Sequence, residues 1–305
     1  MNKKRIIGNI ILILTSFIWG MAFAAQRTGM DYMGPFTFMT ARYILAFISL
    51  GIIAAVIKVS KKEKNVTEAE VIIKRKDTIL SGIVTGILLF LGSAFQQNGI
   101  LYTSVGKAGF ITSLYIVLIP LFGIFIRKKI RFIIWVGVVL AIAGLYLLTI
   151  KEGFTIVYGD LIVFAGSFVW AGHILAIDYF SKKVEPVYMS FLQFAVCSLL
   201  SAAAMFIAET PIMGNIITGW RSIFYAGVIS AGVGYTLQMI AQKNTDPTIA
   251  SLILSLEAVF GALAGYYFLN EILNLKEILG CTLLLAAIII AQLPYPKQKG
   301  NYEYA

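Results

Sequence analysis

A handful of side chains set polar chemistry into otherwise apolar sequence. Glu257 is the one acidic residue of the run Thr248–Leu269. It falls nine residues into that run, close to the middle of a membrane at 1.5 Å per residue. An ionised carboxylate there costs at least ~2.5 kcal/mol on insertion scales, so it faces water, pairs with a cation or holds a proton. Its functional reading is a site for a proton or a cationic group; its structural reading is a neutral carboxyl bridging two helices. Arg42 is the basic residue well inside Phe36–Ile57. It either forks onto a carboxylate with two parallel hydrogen bonds or snorkels to the interface along its long stem. His173, the single histidine, lies one helical turn after Trp170 and shares its face. Its titration range suits proton coupling, and hydrogen-bonded packing is the alternative. Trp19 and Trp170 sit mid-run, away from the interfaces that tryptophan usually occupies, where they serve either for stacking on a substrate or for packing. Gln96, Gln97 and Asn98 make one end of the third run polar, and Gln238 and Gln242 one end of the eighth; uncharged polar groups there suit helix contacts or a wet path. Tyr43, Tyr115 and Tyr235 are weaker candidates. The expected substrate-binding set is Trp19, Arg42, Tyr43, Gln96, Tyr115, Trp170, His173, Gln238 and Glu257. Glu257 and His173 are the expected proton-coupling groups.

These residues do not make an enzyme. Two cysteines, Cys197 and Cys281, and one histidine supply no metal-ligand set and no disulfide framework. The sequence contains no zinc-protease histidine pair, nucleophile elbow, phosphate-binding loop or dinucleotide fingerprint. No metal and no cofactor are expected. An intramembrane acid–base pair would require Glu257 and His173 within hydrogen-bond reach of each other.

The elements that carry these residues are membrane spans. The chain is 59% hydrophobic and 13% charged, with a mean hydropathy of +0.86, against about 25% charged in soluble domains. Ten apolar runs are long enough to cross ~30 Å of hydrocarbon: Ile6–Ala25, Phe36–Ile57, Ile79–Ile100, Ala108–Ile126, Phe132–Ile150, Gly159–Ile177, Val187–Ala208, Ser222–Ala241, Thr248–Leu269 and Glu277–Gln292. The first reads as a span and not as a signal sequence, because its Ser-Phe-x-Trp core recurs in mid-chain. With the N-terminus inside, 19 of the 25 Lys and Arg fall on cytoplasmic segments, as the positive-inside rule requires. Both termini are expected in the cytoplasm of a plasma-membrane protein. The net charge of +10 is then loop charge that sets orientation, with no nucleic-acid partner, and the loop Lys58–Thr78 is a solvated anchor touching anionic lipid.

The chain is one half written twice. Ser16-Phe17-Ile18-Trp19 recurs as Ser167-Phe168-Val169-Trp170 at an offset of 151, which also pairs Pro35 with Pro186 and Arg42 with Gln193. Gly82 matches Gly227 at 145, Phe122-Gly123 matches Phe260-Gly261 at 138, and Gly137 matches Gly280 at 143. Five spans per half is an odd number, so the second repeat enters the membrane from the opposite side. The fold class is therefore all-α and polytopic, with ten transmembrane helices as two inverted five-helix repeats, residues 1–150 and 151–305. Gly261 and Gly265, and Gly137, Ala141 and Gly144, let helices approach closely, either inside a monomer or at the seam of a homodimer.

A Trp-bearing first helix in each half, the five-plus-five organisation and Ser255-Leu256-Glu257-Ala258 in the ninth span resemble the drug/metabolite transporter superfamily, in particular its EamA-type domain pair, over about Ile6 to Gln292. That family's proline after the ninth-span Glu is Ala258 here, and Pro120 stands at the corresponding place of the first half. The resemblance implies small-metabolite transport, often export of amino acids or related compounds, through a cavity lined mainly by the first four helices of each half. The expected function is a secondary transporter for a small amphipathic or zwitterionic metabolite, with protons as a further ligand and the bilayer as surroundings. Two alternatives stand beside it: a multidrug exporter of hydrophobic cations, and a membrane scaffold or receptor that transports nothing.

Overall fold

A computed structural model describes residues 3–60, 68–103, 105–125, 130–150, 156–269 and 274–293; the tail beyond Leu293 and parts of the basic segments Lys58–Thr78 and Arg127–Arg131 lie outside them. Among the described residues ten helical spans are long and apolar enough to cross a membrane: Lys3–Met30, Pro35–Val56, Arg75–Ile100, Lys107–Phe125, Phe132–Thr149, Tyr158–Ser181, Pro186–Ala208, Trp220–Gln242, Pro247–Ala264 and Leu275–Gln292. Helix is what such sequence must form, since hydrocarbon offers no partner to a bare N–H or C=O. Side chains such as Ile10, Ile52, Val139, Leu199 and Phe206 stay exposed on the outer surface, as a lipid-facing surface requires.

The two repeats interlock. The most extensive interfaces join the fifth span to the tenth, the second to the seventh, the third to the sixth and seventh, and the first to the eighth and ninth. Each of these contacts runs between halves. The fold is thus built around one pseudo-two-fold relation.

Close backbone approaches fix the register of that relation. A Cβ at Gly86 would lie 2.8 Å from the Gln193 carbonyl oxygen and 2.7 Å from Val196 Cβ. One at Gly227 would lie 2.6 Å from the Arg42 carbonyl oxygen and 3.1 Å from Leu45 Cβ. Arg42 and Leu45 are the counterparts of Gln193 and Val196 at offset 151. Gly86 therefore corresponds to Gly227, and the expected pairing of Gly82 with Gly227 is one helical turn out. A few residues on, Gly92 lies against the ring of Trp170 and Gly234 against that of Trp19. The offset between the third and eighth spans is 141 at the first pair and 142 at the second. The eighth span has gained one residue, and it does so inside its π-helical segment Tyr225–Tyr235, whose wide turns absorb an insertion.

The fourth and ninth spans are both broken in the middle, at Ser113-Leu114 and Ser255-Leu256. Four of their hydrogen bonds match. Ser113 N to Gly109 O, Leu114 N to Ile111 O, Ile116 N to Ser113 O and Leu118 N to Leu114 O recur as Ser255 N to Ser251 O, Leu256 N to Ile253 O, Ala258 N to Ser255 O and Phe260 N to Leu256 O. The offset is 142, which replaces the expected 138. Tyr115 is thus the counterpart of Glu257, and Pro120 faces Ala262 in the comparison instead of Ala258. The ninth span breaks without a proline: Ser255 Oγ donates to the Leu252 carbonyl at 2.7 Å and so competes with the helix ladder.

Candidate functional site

Half-helices that end in mid-membrane leave backbone groups and side chains facing inward, and an intramembrane cavity opens between them. Its walls come from spans one to four of the first half and spans six, eight and nine of the second. All nine residues expected to bind substrate line it: Trp19, Arg42, Tyr43, Gln96, Tyr115, Trp170, His173, Gln238 and Glu257. The seventh span supports the lining from behind, through Gln193, which bonds His173, and Phe194, which packs on Tyr43 and Tyr235.

Pseudo-symmetry organises the lining. Trp19 with Trp170, Phe23 with Ile174, Ser93 with Tyr235, Gln96 with Gln238, Thr112 with Leu254 and Tyr115 with Glu257 are counterparts at offsets of 151 or 142, and every one of them lines the cavity. The cavity therefore straddles the pseudo-two-fold axis. Its chemistry does not follow that symmetry, because Arg42 faces Gln193 in the comparison and His173 faces Ala22.

Arg42 does not snorkel. Its residue is 7% exposed. Nη1 donates to Gln26 Oε1 at 3.0 Å and Nη2 to the Tyr43 hydroxyl at 2.7 Å. That hydroxyl also shares a hydrogen bond of 2.5 Å with Ser93 Oγ. The guanidinium also stands over the Tyr43 ring, 4.5 Å from its centroid. Nε has no hydrogen-bond partner.

Glu257 begins the second half-helix of its span, Glu257–Leu269, where a helix N-terminus favours negative charge. It is 9% exposed and lies on the cavity. The expected small-residue stripe also takes shape here, though its close point is Gly20 on the first span: a Cβ there would lie 2.7 Å from the Glu257 carbonyl oxygen. His173 is fully buried, with Nε2 2.9 Å from Gln193 Oε1. With that carbonyl oxygen accepting, Nε2 carries the ring proton and Nδ1 is left as an acceptor without a partner. Gln238 Oε1 and Trp170 Nε1 are likewise buried, unpartnered and on the lining.

An aromatic group ties the walls together. Tyr235 lies 4.7 Å from Trp19, 6.5 Å from Trp170, 5.8 Å from His173 and 5.8 Å from Phe194, centroid to centroid. Sequence placed Tyr235 among its weaker candidates, yet it sits between the two tryptophans. Phe23, Gln26, Ser93, Thr112 and Ser230 line the cavity without having been expected. Ser93 was within reach of sequence through its counterpart Tyr235, had the register been 142. Three expected polar residues are elsewhere. Gln97 Nε2 donates to Met30 Sδ, Asn98 to the Ala94 carbonyl and Gln242 to the Ile174 carbonyl, so they serve packing.

The cavity is closed towards the face that carries the N-terminus and open towards the other. On the closed side Gln238 and Leu254 are buried, above a core of Ile177, Phe180, Met189 and Met239. On the open side Phe23, Gln26 and Gln96 are partly exposed. The cavity volume is ≈ 70 Å³, room for about five to seven waters at 10–15 Å³ each. Among the described residues no cluster of His, Cys, Asp and Glu suits a metal ion.

Known proteins place this architecture. The profile of the EamA-like transporter family matches residues 6–150 and 157–292. An uncharacterized transporter of Archaeoglobus fulgidus is 32% identical over 300 residues, covering 95% of this chain and 87% of its own length. The uncharacterized transporter YoaV of Bacillus subtilis is 21% identical, covering 94% and 97%. A solved crystal structure, 17% identical, shares the fold with a TM-score of 0.74 over 93% of this chain and 96% of its own. With both repeats matched along nearly their whole length, the chain is a multi-pass membrane protein that belongs to the EamA-like transporter family.

Proposed function

We propose that this chain is a secondary transporter that carries a small zwitterionic metabolite by alternating access, with Glu257 loading a proton in the cycle. One observation carries the reading: the cavity lining leaves buried donors and buried acceptors without partners on separate residues, with the Thr112 hydroxyl able to serve as either. Arg42 Nε and Trp170 Nε1 are unpartnered donors, while Gln238 Oε1 and His173 Nδ1 are unpartnered acceptors, and Glu257 stands with the acceptors. A carboxylate suits the first set and an ammonium group the second. The inverted repeat supplies the means of exchange, since two halves of one design can trade conformations across the axis on which the cavity lies. With both termini in the cytoplasm of the plasma membrane, as the Lys and Arg distribution favours, the open face is the outer one. Export is then the direction in which this conformation releases cargo. A cavity of ≈ 70 Å³ supports a compact metabolite over a drug-sized hydrophobic cation.

The test is uptake of a labelled amino-acid panel into proteoliposomes, with and without an imposed pH gradient. Gradient-dependent accumulation that collapses in Glu257→Gln supports the reading. Absence of flux for every compound in folded protein sinks it, and competition by quaternary ammonium compounds alone would transfer the site to hydrophobic cations.

A further inference from the structure

The two tryptophans are counterparts in sequence and position, but their indole N–H groups have different fates. Trp19 Nε1 donates to the Ser230 carbonyl at 3.1 Å. Ser230 belongs to the π-helical segment of the eighth span, between Gly227 and Gly234, the interval that holds the inserted residue. The regular third span offers nothing equivalent to Trp170. It brings Gly92 against the Trp170 ring, with a Cβ there 3.0 Å from Cε2, and Trp170 Nε1 is buried on the cavity wall with no partner. A buried donor without an acceptor is uncommon in native structures. Here its occupant can only come from the cavity.

A second unpartnered donor lies close by along the same wall. Gly92 adjoins Ser93, whose hydroxyl meets Tyr43, whose hydroxyl in turn accepts from Arg42 Nη2. Arg42 keeps Nε–H open, and among the described residues no carboxylate lies within ion-pair distance of its guanidinium. We infer that the one-residue insertion in the eighth span is a specificity device: it withdraws the Trp19 N–H by supplying a backbone carbonyl, and leaves Trp170, together with Arg42, as the donor pair for an anionic oxygen of the ligand. The substrate is oriented with its carboxylate on the Trp170–Arg42 wall. The inference rests on the transport reading only in calling that ligand a substrate.

Nitrogen-15 labelling of the four tryptophan indoles in the full chain, held in nanodiscs, reads each N–H separately. Titration with propionate is expected to move the Trp170 indole signal saturably and to leave the Trp19 signal in place. Propionamide, of the same shape without the charge, should move neither. Arg42→Gln should weaken the propionate response at least tenfold with the fold intact, and Trp170→Phe should weaken propionate binding measured by calorimetry to a similar extent. Deletion of Val233, an exposed residue of the inserted interval, should free the Trp19 N–H and bring its signal into the titration. A shift of Trp19 in the native chain, or of neither indole, overturns the inference, as does an equal shift from chloride at matched concentration. A folded deletion variant whose Trp19 stays silent removes the role given to the insertion. Propionate binding without any flux sinks the transport reading alone, and flux without an indole response sinks this inference alone.

Discussion

Gly144 and Gly280 meet backbone to backbone where the fifth and tenth spans cross. A Cβ on Gly280 would fall 2.6 Å from the Gly144 carbonyl oxygen, and one on Gly144 2.8 Å from that of Gly280. The neighbouring approach of Gly137 to the Ala287 carbonyl oxygen, at 3.1 Å, is the same contact seen through the pseudo-two-fold at offset 143. Neither span contributes a residue to the cavity. The crossing is a fixed post, and Gly137, Ala141 and Gly144, which sequence left open between packing and a dimer seam, pack inside the chain.

Gly280→Ala is expected to destabilise the protein by about 1–3 kcal/mol, the range for overpacking, because the atoms it meets are backbone and cannot turn aside. Gly109→Ala, where a Cβ meets nothing within 4 Å, should be neutral or stabilising through helix propensity. Thermal unfolding in one detergent compares the two. Equal losses would mean that the crossing is looser than its geometry.

Glu209, at the end of the seventh span, caps the second span of the other repeat. Its carboxylate accepts from Phe36 N at 2.7 Å, Thr37 N at 2.8 Å and Thr37 Oγ1 at 2.6 Å. It supplies both the hydrogen bonds and the negative charge that a helix N-terminus favours. Glu209→Ala should cost about 1–2 kcal/mol and Glu209→Gln less. Gly34→Ala should do comparable harm, since its Cβ would meet the same carboxylate at 2.4 Å. A stability unchanged by Glu209→Ala would show the cap to be ornamental.

Much of this was legible in the sequence. Long apolar runs dictate ten helices, and the odd count of five inverts the repeat. The nine expected residues line one cavity because polar and aromatic groups in mid-span are conspicuous and tend to gather away from lipid. Register was harder. Apolar sequence matches itself at many offsets, so Gly82 passed for the mate of Gly227 and Phe122 for that of Phe260; only contacts to Gln193 and Arg42 separate one glycine from another a turn away. The π insertion is invisible for the same reason, since one added residue among Ala, Gly, Val and Ser disturbs no pattern. Gln97 and Gln242 show the converse: a polar side chain within a span is as readily spent on a neighbouring Met30 sulfur or Ile174 carbonyl as on a cavity.

Glu257→Gln keeps shape and hydrogen-bonding capacity and removes the exchangeable charge. If Glu257 loads the proton, accumulation driven by a pH gradient should fall at least about tenfold, equivalent to ~1.4 kcal/mol, while substrate-for-substrate exchange without a gradient persists. Tyr115→Phe, at the matching break of the fourth span, should leave the gradient dependence intact. Undiminished pH-driven flux in Glu257→Gln would move coupling to another group, with His173 next in line.

Arg42 distinguishes substrate chemistries. Losing a charge-assisted hydrogen bond costs about 1.5–3 kcal/mol, so Arg42→Gln should weaken carboxylate-bearing compounds by about 10- to 150-fold and spare their amides. Arg42→Lys keeps the charge but not the planar fork. It should fall between the two, because Gln26 and Tyr43 hold the guanidinium by separate nitrogens, and the three N–H groups of an ammonium, all on one atom, cannot match that spacing. Measured affinities for a carboxylate and its amide, across the three proteins, test the assignment. Equal loss for a lipophilic cation would make Arg42 a packing element of the wall, and the carboxylate would have to bind elsewhere.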